Sequence, residues 1–138
     1  MNVLLDTCVI IDAMQCREPF ASDAMEIIES AAANKITGFI TAKSVTDIYY
    51  IIHRHFHDNE STRATIQKLI NLFAILDTKG KDCELALLSD VSDFEDAVMI
   101  ETAKREGMDC IVTRNIKDYL NSSVKVMQPS DLLKEIDY

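Results

Sequence analysis

The residues with the most chemistry to offer are carboxylates that stand near the ends of short apolar runs. Asp6 closes Val3-Leu4-Leu5, and Asp47 follows Gly38-Phe39-Ile40-Thr41 by a few residues. Asp96 opens the helical stretch ahead of Cys110-Ile111-Val112-Thr113, while Asn115 and Asp118 come directly after that run. In open parallel sheets, ligand sites form outside the carboxyl ends of the strands, where the winding direction reverses, so acids far apart in sequence would meet there. Three or four carboxylates with no His or Cys ligand suit Mg2+ or Mn2+ better than zinc, because such hard ions take oxygen ligands and keep several waters.

Asp96 is the most unusual of these acids. On a helix it shares one stripe with Met99, Ile100 and Ala103, at offsets of three, four and seven. A carboxylate on an apolar stripe is partly desolvated, and an ionised acid there is costly unless a cation or several donors satisfy it. The other acids also have ordinary readings. Asp47 would complete a capping box begun by Ser44, Asp6 at a strand end can cap the next turn, and Asp93 meets a helix dipole. Glu95 would complete a second box from Ser92, which leaves Asp96 unneeded for capping.

Positioning these residues takes alternating strands and helices. Short apolar runs at Val3–Leu5, Gly38–Thr41, Ala74–Leu76, Cys110–Thr113 and Val124–Met127 predict five strands. Segments of helical period lie between them. They comprise a short helix capped by Thr7, then Phe20–Asn34, Ser44 to about His57, one from Ser61 or Thr62, one around Glu84–Leu88, one from Ser92 to the Gly107 stop, and one from Pro129. This alternation is the mark of an α/β fold with a largely parallel sheet. The 138 residues amount to one domain, 1–138, with a sizeable core. At 48% hydrophobic and 27% charged, with 3 Gly and 2 Pro, disordered and linker-rich classes are excluded.

No apolar run approaches the roughly 20 residues that span a bilayer, and Asp6 and Asp12 interrupt the first one, so a cytoplasmic protein with no membrane partner is expected. Cys8, Cys16, Cys83 and Cys110 lie at wide, irregular spacing without a C-x-x-C pair, and read as free thiols of a reducing compartment.

The acid-bearing segments resemble the motifs of the PIN-domain nucleases. Leu5-Asp6-Thr7-Cys8-Val9-Ile10 is similar to their opening, and Thr41-Ala42-Lys43-Ser44-Val45-Thr46-Asp47-Ile48 to their second motif. Asp93-Phe94-Glu95-Asp96-Ala97 resembles the third, and the run from Ile111 through Thr113-Arg114-Asn115 to Asp118-Tyr119 the fourth. Order and spacing agree over almost the whole chain, with bacterial VapC-type toxins as the nearest group. The resemblance implies a three-layer α/β/α sandwich on a central five-stranded parallel sheet and a metal-dependent ribonuclease acting on single-stranded RNA. It also implies a cognate antitoxin and a homodimer. Asp6, Asp47 and Asp96 match the family's metal-site acids, with Thr113, Asn115 and Asp118 as further members of the catalytic set. Asp47 stands where the family usually has Glu, and Asn115 where it often has Asp. A water-bridged contact from Asp47 follows as an expectation, with Asp118 able to substitute for Asn115, and the number of metal ions, one or two, stays open.

Rival readings bear on the same residues. A non-catalytic PIN-like module that binds RNA or protein would keep the fold and most motifs. A phosphoacceptor receiver domain would show paired acids after the first strand, and a haloacid-dehalogenase-type phosphatase D-x-D-x-T; neither pattern is present at Asp6-Thr7-Cys8. His53 and His57 share a helix face but lack a further ligand, and fit a solvated helix end. Tyr49 and Tyr50 either pack in a core or interface or stack on a base.

The net charge of −9 argues against a nucleic-acid partner until its distribution is read. Asp77–Asp109 holds 10 acids and 4 bases, whereas Lys35–Lys68 has 5 Lys and Arg against 3 acids, plus all 3 His. Phosphate contacts are expected from that second segment and from Arg114–Lys125.

Overall fold

Val3, Leu4 and Leu5 are fully buried, and they alternate between two separate apolar layers: Val3 and Leu5 in one, Leu4 in the other. A strand buried on both faces belongs at the centre of a parallel sheet covered by helices on each side. The computed structural model, which describes residues 1–137, has that arrangement. Strands β1 (Asn2–Leu5), β2 (Thr37–Thr41), β3 (Ala74–Leu76), β4 (Cys110–Val112) and β5 (Val126–Met127) form one sheet in the order β3-β2-β1-β4-β5. All four pairings are parallel.

Seven α-helices complete the three layers. They are α1 (Thr7–Met14), α2 (Ala21–Ala32), α3 (Ala42–Phe56), α4 (Asn59–Leu72), α5 (Gly80–Leu87), α6 (Phe94–Arg105) and α7 (Pro129–Ile136). The layer on the Val3 and Leu5 face takes its core from α1–α4 and α7, through residues such as Ile10, Ile27, Ile48, Ile66 and Leu132. The opposite layer takes it from α5 and α6, through Ala86, Ala97, Ile100 and Ala103 around Leu4 and Ile111. Gly38 is required where it is, since a Cβ there would lie 2.5 Å from Cδ1 of the buried Phe73 ring. Gly107, left-handed at φ 67°, stands just after α6, as the sequence predicts.

Helix starts differ from the sequence reading in ways that move functional residues. Thr41, the last residue of β2, caps α3 by accepting the Ser44 N–H at 3.1 Å, so Ser44 lies inside the helix and no Ser44–Asp47 box forms. Asp47 is therefore the sixth residue of α3, in its second turn and not its first. Asp93, not Ser92, caps α6 by accepting the Asp96 N–H at 2.9 Å, and Glu95 is free for other work. Asp58 caps α4 three residues ahead of the expected Ser61, and α5 begins at Gly80 ahead of Glu84. Thr7 is the first residue of α1, and Asp6 holds the cap position with no capping hydrogen bond from its side chain. A 3₁₀ turn, Ile116–Tyr119, follows β4 and was not foreseen. The four cysteines are free.

A buried ion pair ties the α5–α6 layer together. The Asp82 carboxylate, 1% exposed, accepts from Arg105 Nε and Nη2 at 2.9 Å each, from Thr102 Oγ1 at 3.0 Å and from the Lys79 N–H at 2.9 Å. These donors, led by Arg105, hold its carboxyl down at about 2 from the ordinary 3.8. A depressed carboxyl stabilises the fold above its unfolded value and loses that contribution as pH falls through the folded one. Asp82→Asn is therefore expected to lower unfolding free energy at pH 7 by about 3 kcal/mol, a deficit that shrinks between pH 4 and 2. Urea melts across that range check it; a pH-independent deficit would contradict the assignment.

Candidate functional site

Because β2 and β3 lie on one side of β1 and β4 and β5 on the other, the winding direction reverses between β1 and β4. Asp6 and Thr113 follow those two strands directly. The Asp6 N–H donates to the Val112 carbonyl at 2.9 Å, and the fully buried Thr113 hydroxyl donates to Asp6 Oδ2 at 2.7 Å. That hydroxyl in turn accepts the Asn115 N–H at 3.0 Å. Thr113 is thus committed to orienting Asp6 and is closed to a ligand. The Cys8 thiol lies 3.5 Å from the same Oδ2, and burial with the adjacent Asp6 charge pushes it up to about 11, so it remains a protonated neighbour. Both contacts fall on Oδ2, leaving Oδ1 of Asp6 for another partner.

Asp6, Asp47 and Asp96 line one pocket of about 490 Å³, with Thr41, Lys43, Tyr50, Arg54 and Glu95 among its other walls. Asp96 is half-buried, and its carboxyl is raised to about 6. Desolvation is the main cause, and the charges of Asp93, Asp6 and Asp118 add to it, against a hydrogen-bonding contribution from Tyr119. The buried Tyr119 hydroxyl, which also contacts Met99 Sδ at 3.2 Å, is pushed well above its ordinary range by burial and these acids. The 3₁₀ turn is what brings Tyr119 and Asp118 to Asp96.

Asp47 behaves differently. Lys43 Nζ, one helical turn away, pairs with Asp47 Oδ2 at 2.6 Å and also with Glu95 of α6. Sequence reading passed over this bridge because Lys43 and Glu95 are 52 residues apart. Asn115 and Asp118 line a second hollow of about 260 Å³ with Arg114, Lys117 and Gln128, although the Asp118 charge acts on Asp96 and the Asn115 N–H reaches the Thr113 hydroxyl that holds Asp6. Arg114 is anchored there, its Nε donating to Oδ2 of the buried Asp12 at 2.7 Å and its guanidinium lying 4.5 Å from the Phe20 ring centre. His53 stacks on Tyr49 with ring centres 5.9 Å apart, and His57 is the left-handed residue that ends α3.

The donors offered around Asp6 and Asp96 are oxygens, and Asp96 carries the electrostatic deficit that a cation would relieve, so these two residues fit a hard divalent ion. Lys43 engages Oδ2 of Asp47, and among the described residues no hydrogen bond falls on its Oδ1. Among the described residues, no three Asp, Glu, His or Cys side chains are grouped closely enough to hold a metal ion as they stand.

A family model described as PIN domain matches residues 2–117. No curated protein matches the chain. Among solved structures, a toxin–antitoxin complex from Klebsiella pneumoniae is similar at 22% identity and TM-score 0.68, over 92% of this chain and 97% of that one. VapBC2 from Rickettsia felis, bound to a DNA fragment from its promoter, is similar at 14% identity and TM-score 0.65, over 93% and 98%. VapC20 from Mycobacterium tuberculosis, a toxin that cleaves the sarcin-ricin loop, is similar at 11% and 0.64, over 89% and 98%.

The raised Asp96 carboxyl has a consequence for stability. A carboxyl whose folded value exceeds its unfolded one costs stability above the folded value, and the cost disappears as pH falls through both. Without divalent cations, Asp96→Asn is expected to stabilise the protein above pH 6 by on the order of 2 kcal/mol, with the gain fading toward pH 4. Thermal melts in chelator at pH 8 and pH 4 test this; an equal difference at both would refute it.

Proposed function

Because the chain belongs to the PIN-domain family, we propose that it is a Mg2+- or Mn2+-dependent endoribonuclease that hydrolyses phosphodiester bonds of single-stranded RNA. The observation that carries this reading is the meeting of Asp6, Asp47 and Asp96 in one pocket beyond the carboxyl ends of the central strands. Likeness to toxin–antitoxin complexes supports a role as the toxin of such a pair, with a cognate antitoxin as partner. The proposed setting is the cytoplasm; among the described residues no helix is long and apolar enough to cross a membrane. A homodimer is the proposed assembly.

In this mechanism Asp6 and Asp96 would hold the divalent ion, with Asp47 as a third participant. When bound, a cation of this kind would activate water and offset negative charge on the phosphodiester. The chain's own residues prepare the rest. Thr113 fixes Asp6 in one rotamer, so its free oxygen is aimed before substrate arrives. Asp47, freed from Lys43, accepts a hydrogen bond from the attacking water at a carboxylate oxygen and takes its proton as the water oxygen bonds to phosphorus; the P–O bond to the departing ribose oxygen breaks, and that oxygen takes a proton from solvent. Lys43 Nζ is then released to a phosphate oxygen, while the Asp118 charge is one of those that raise the Asp96 carboxyl.

One observation favours the non-catalytic alternative: Lys43 already neutralises Asp47 and Glu95. Mutants separate the two. Asp6→Asn and Asp96→Asn are expected to abolish Mg2+- or Mn2+-dependent cleavage of single-stranded RNA while leaving far-UV circular dichroism unchanged. Thr113→Val, which removes only the donor behind Asp6, should cost roughly 10–100-fold. Full activity in either acid mutant would exclude this mechanism, and no cleavage by the unaltered protein would favour the binding module.

A further inference from the structure

Helix α3 lines the pocket with Lys43, Asp47, Tyr50, Ile51 and Arg54, one stripe along its length. At 1.5 Å rise per residue, Arg54 stands about 10 Å beyond Asp47 along the helix. The two tyrosines of this helix, alike in sequence, separate in the structure. Tyr49 is half-buried, donates its hydroxyl to Asn59 Oδ1 at 3.1 Å and stacks on His53. Tyr50 is 65% exposed and meets the Tyr49 ring nearly perpendicularly, with centres 5.7 Å apart. A large ring held on one side and open on the other is a stacking platform with little ordering left to do on binding.

Arg54 supplies the second element. The pocket has two cations in its wall, Lys43 and Arg54, and Lys43 is occupied by Asp47 and Glu95. Among the described residues Arg54 forms no ion pair. A guanidinium without an ion pair, in a pocket that also holds Asp6, Asp47, Glu95 and Asp96, favours an anion that approaches along its end of α3. An open aromatic face followed by a guanidinium matches a nucleobase followed by a phosphate.

We propose that α3 carries a substrate subsite, in which a base of single-stranded RNA next to the scissile phosphate stacks on Tyr50 and the following phosphate pairs with Arg54. This rests on the ribonuclease reading and adds the direction in which the strand leaves the cutting site. The stacking contact tolerates any base, because every base has a flat face, so Tyr50 contributes affinity and register with little sequence preference. Arg54 contributes one phosphate contact and therefore a salt-dependent share of binding.

The test uses the full-length protein and a short mixed-sequence single-stranded RNA with a terminal fluorophore. Binding is measured by anisotropy in the Asp96→Asn background with Mn2+, and cleavage kinetics in the unaltered background. Tyr50→Ala is expected to weaken binding about tenfold without changing its salt slope, and to raise KM more than it lowers kcat. Tyr50→Phe should restore binding. Arg54→Ala should flatten the slope of log affinity against log salt by about 0.7, and Arg54→Lys should restore it. If the unaltered protein cleaves but these variants match their parent proteins in affinity, KM and salt slope, the subsite is wrong and the ribonuclease reading stands. If the unaltered protein does not cleave the RNA, both fall together.

Discussion

The site depends on one strand. β1 is buried on both faces and pairs with β2 on one side and β4 on the other, so it is where the winding of the sheet turns back. Loops leaving β1 and β4 must part at that point, and the cleft between them opens at the carboxyl edge. Asp6 stands at this edge with its backbone N–H already spent on Val112 and its side chain held by Thr113. Helix α1 starts immediately afterwards, yet Asp6 does not cap it. A strand-end acid that declines the nearby capping role and instead bonds across the switch point is positioned for a ligand, and the register of β1 against β4 sets where it points.

Around that fixed residue the pocket is short of positive charge, and each acid meets the shortage differently. Asp47 and Glu95 share Lys43. Asp96, packed on a stripe with the buried Met99, Ile100 and Ala103, has no cation and rises instead toward neutrality. Elsewhere the chain pairs its buried acids completely: Asp82 with Arg105 and Asp12 with Arg114. The contrast gives the net charge its meaning. An excess of acid is tolerable where a guanidinium answers it, and Asp96 has no such partner among the described residues. Arg54 on α3 likewise forms no ion pair among the described residues, so a chain of net charge −9 still carries an unpaired cation in its pocket.

Much of this frame was legible from residue order alone. Five apolar runs marked five strands, Gly107 marked the end of α6, and the positions of Asp6 at a strand end and Asp96 at a helix start put both at the edge where they lie. Local signals failed where two residues competed for one role. Thr41 and Ser44 can each cap a helix, as can Asp93 and Ser92, and the winner is the one at which the preceding strand or loop releases the chain, a tertiary fact. That competition moved Asp47 by a helical turn. The Lys43–Glu95 and Arg114–Asp12 pairs join residues 52 and 102 apart, and no spacing rule reaches so far. The 3₁₀ turn that brings Tyr119 to Asp96 has no apolar period to announce it, being four residues long.

Asp6 and Asp96 together are the proposed seat of a divalent cation. Crystals of the unaltered protein grown or soaked with Mn2+ can be measured at the manganese absorption edge. An anomalous peak is expected between the Asp6 and Asp96 carboxylates, accompanied by movement of Lys43 away from Asp47. A saturating soak that leaves that position without a peak, or places manganese only at the His53–His57 end of α3, would contradict it.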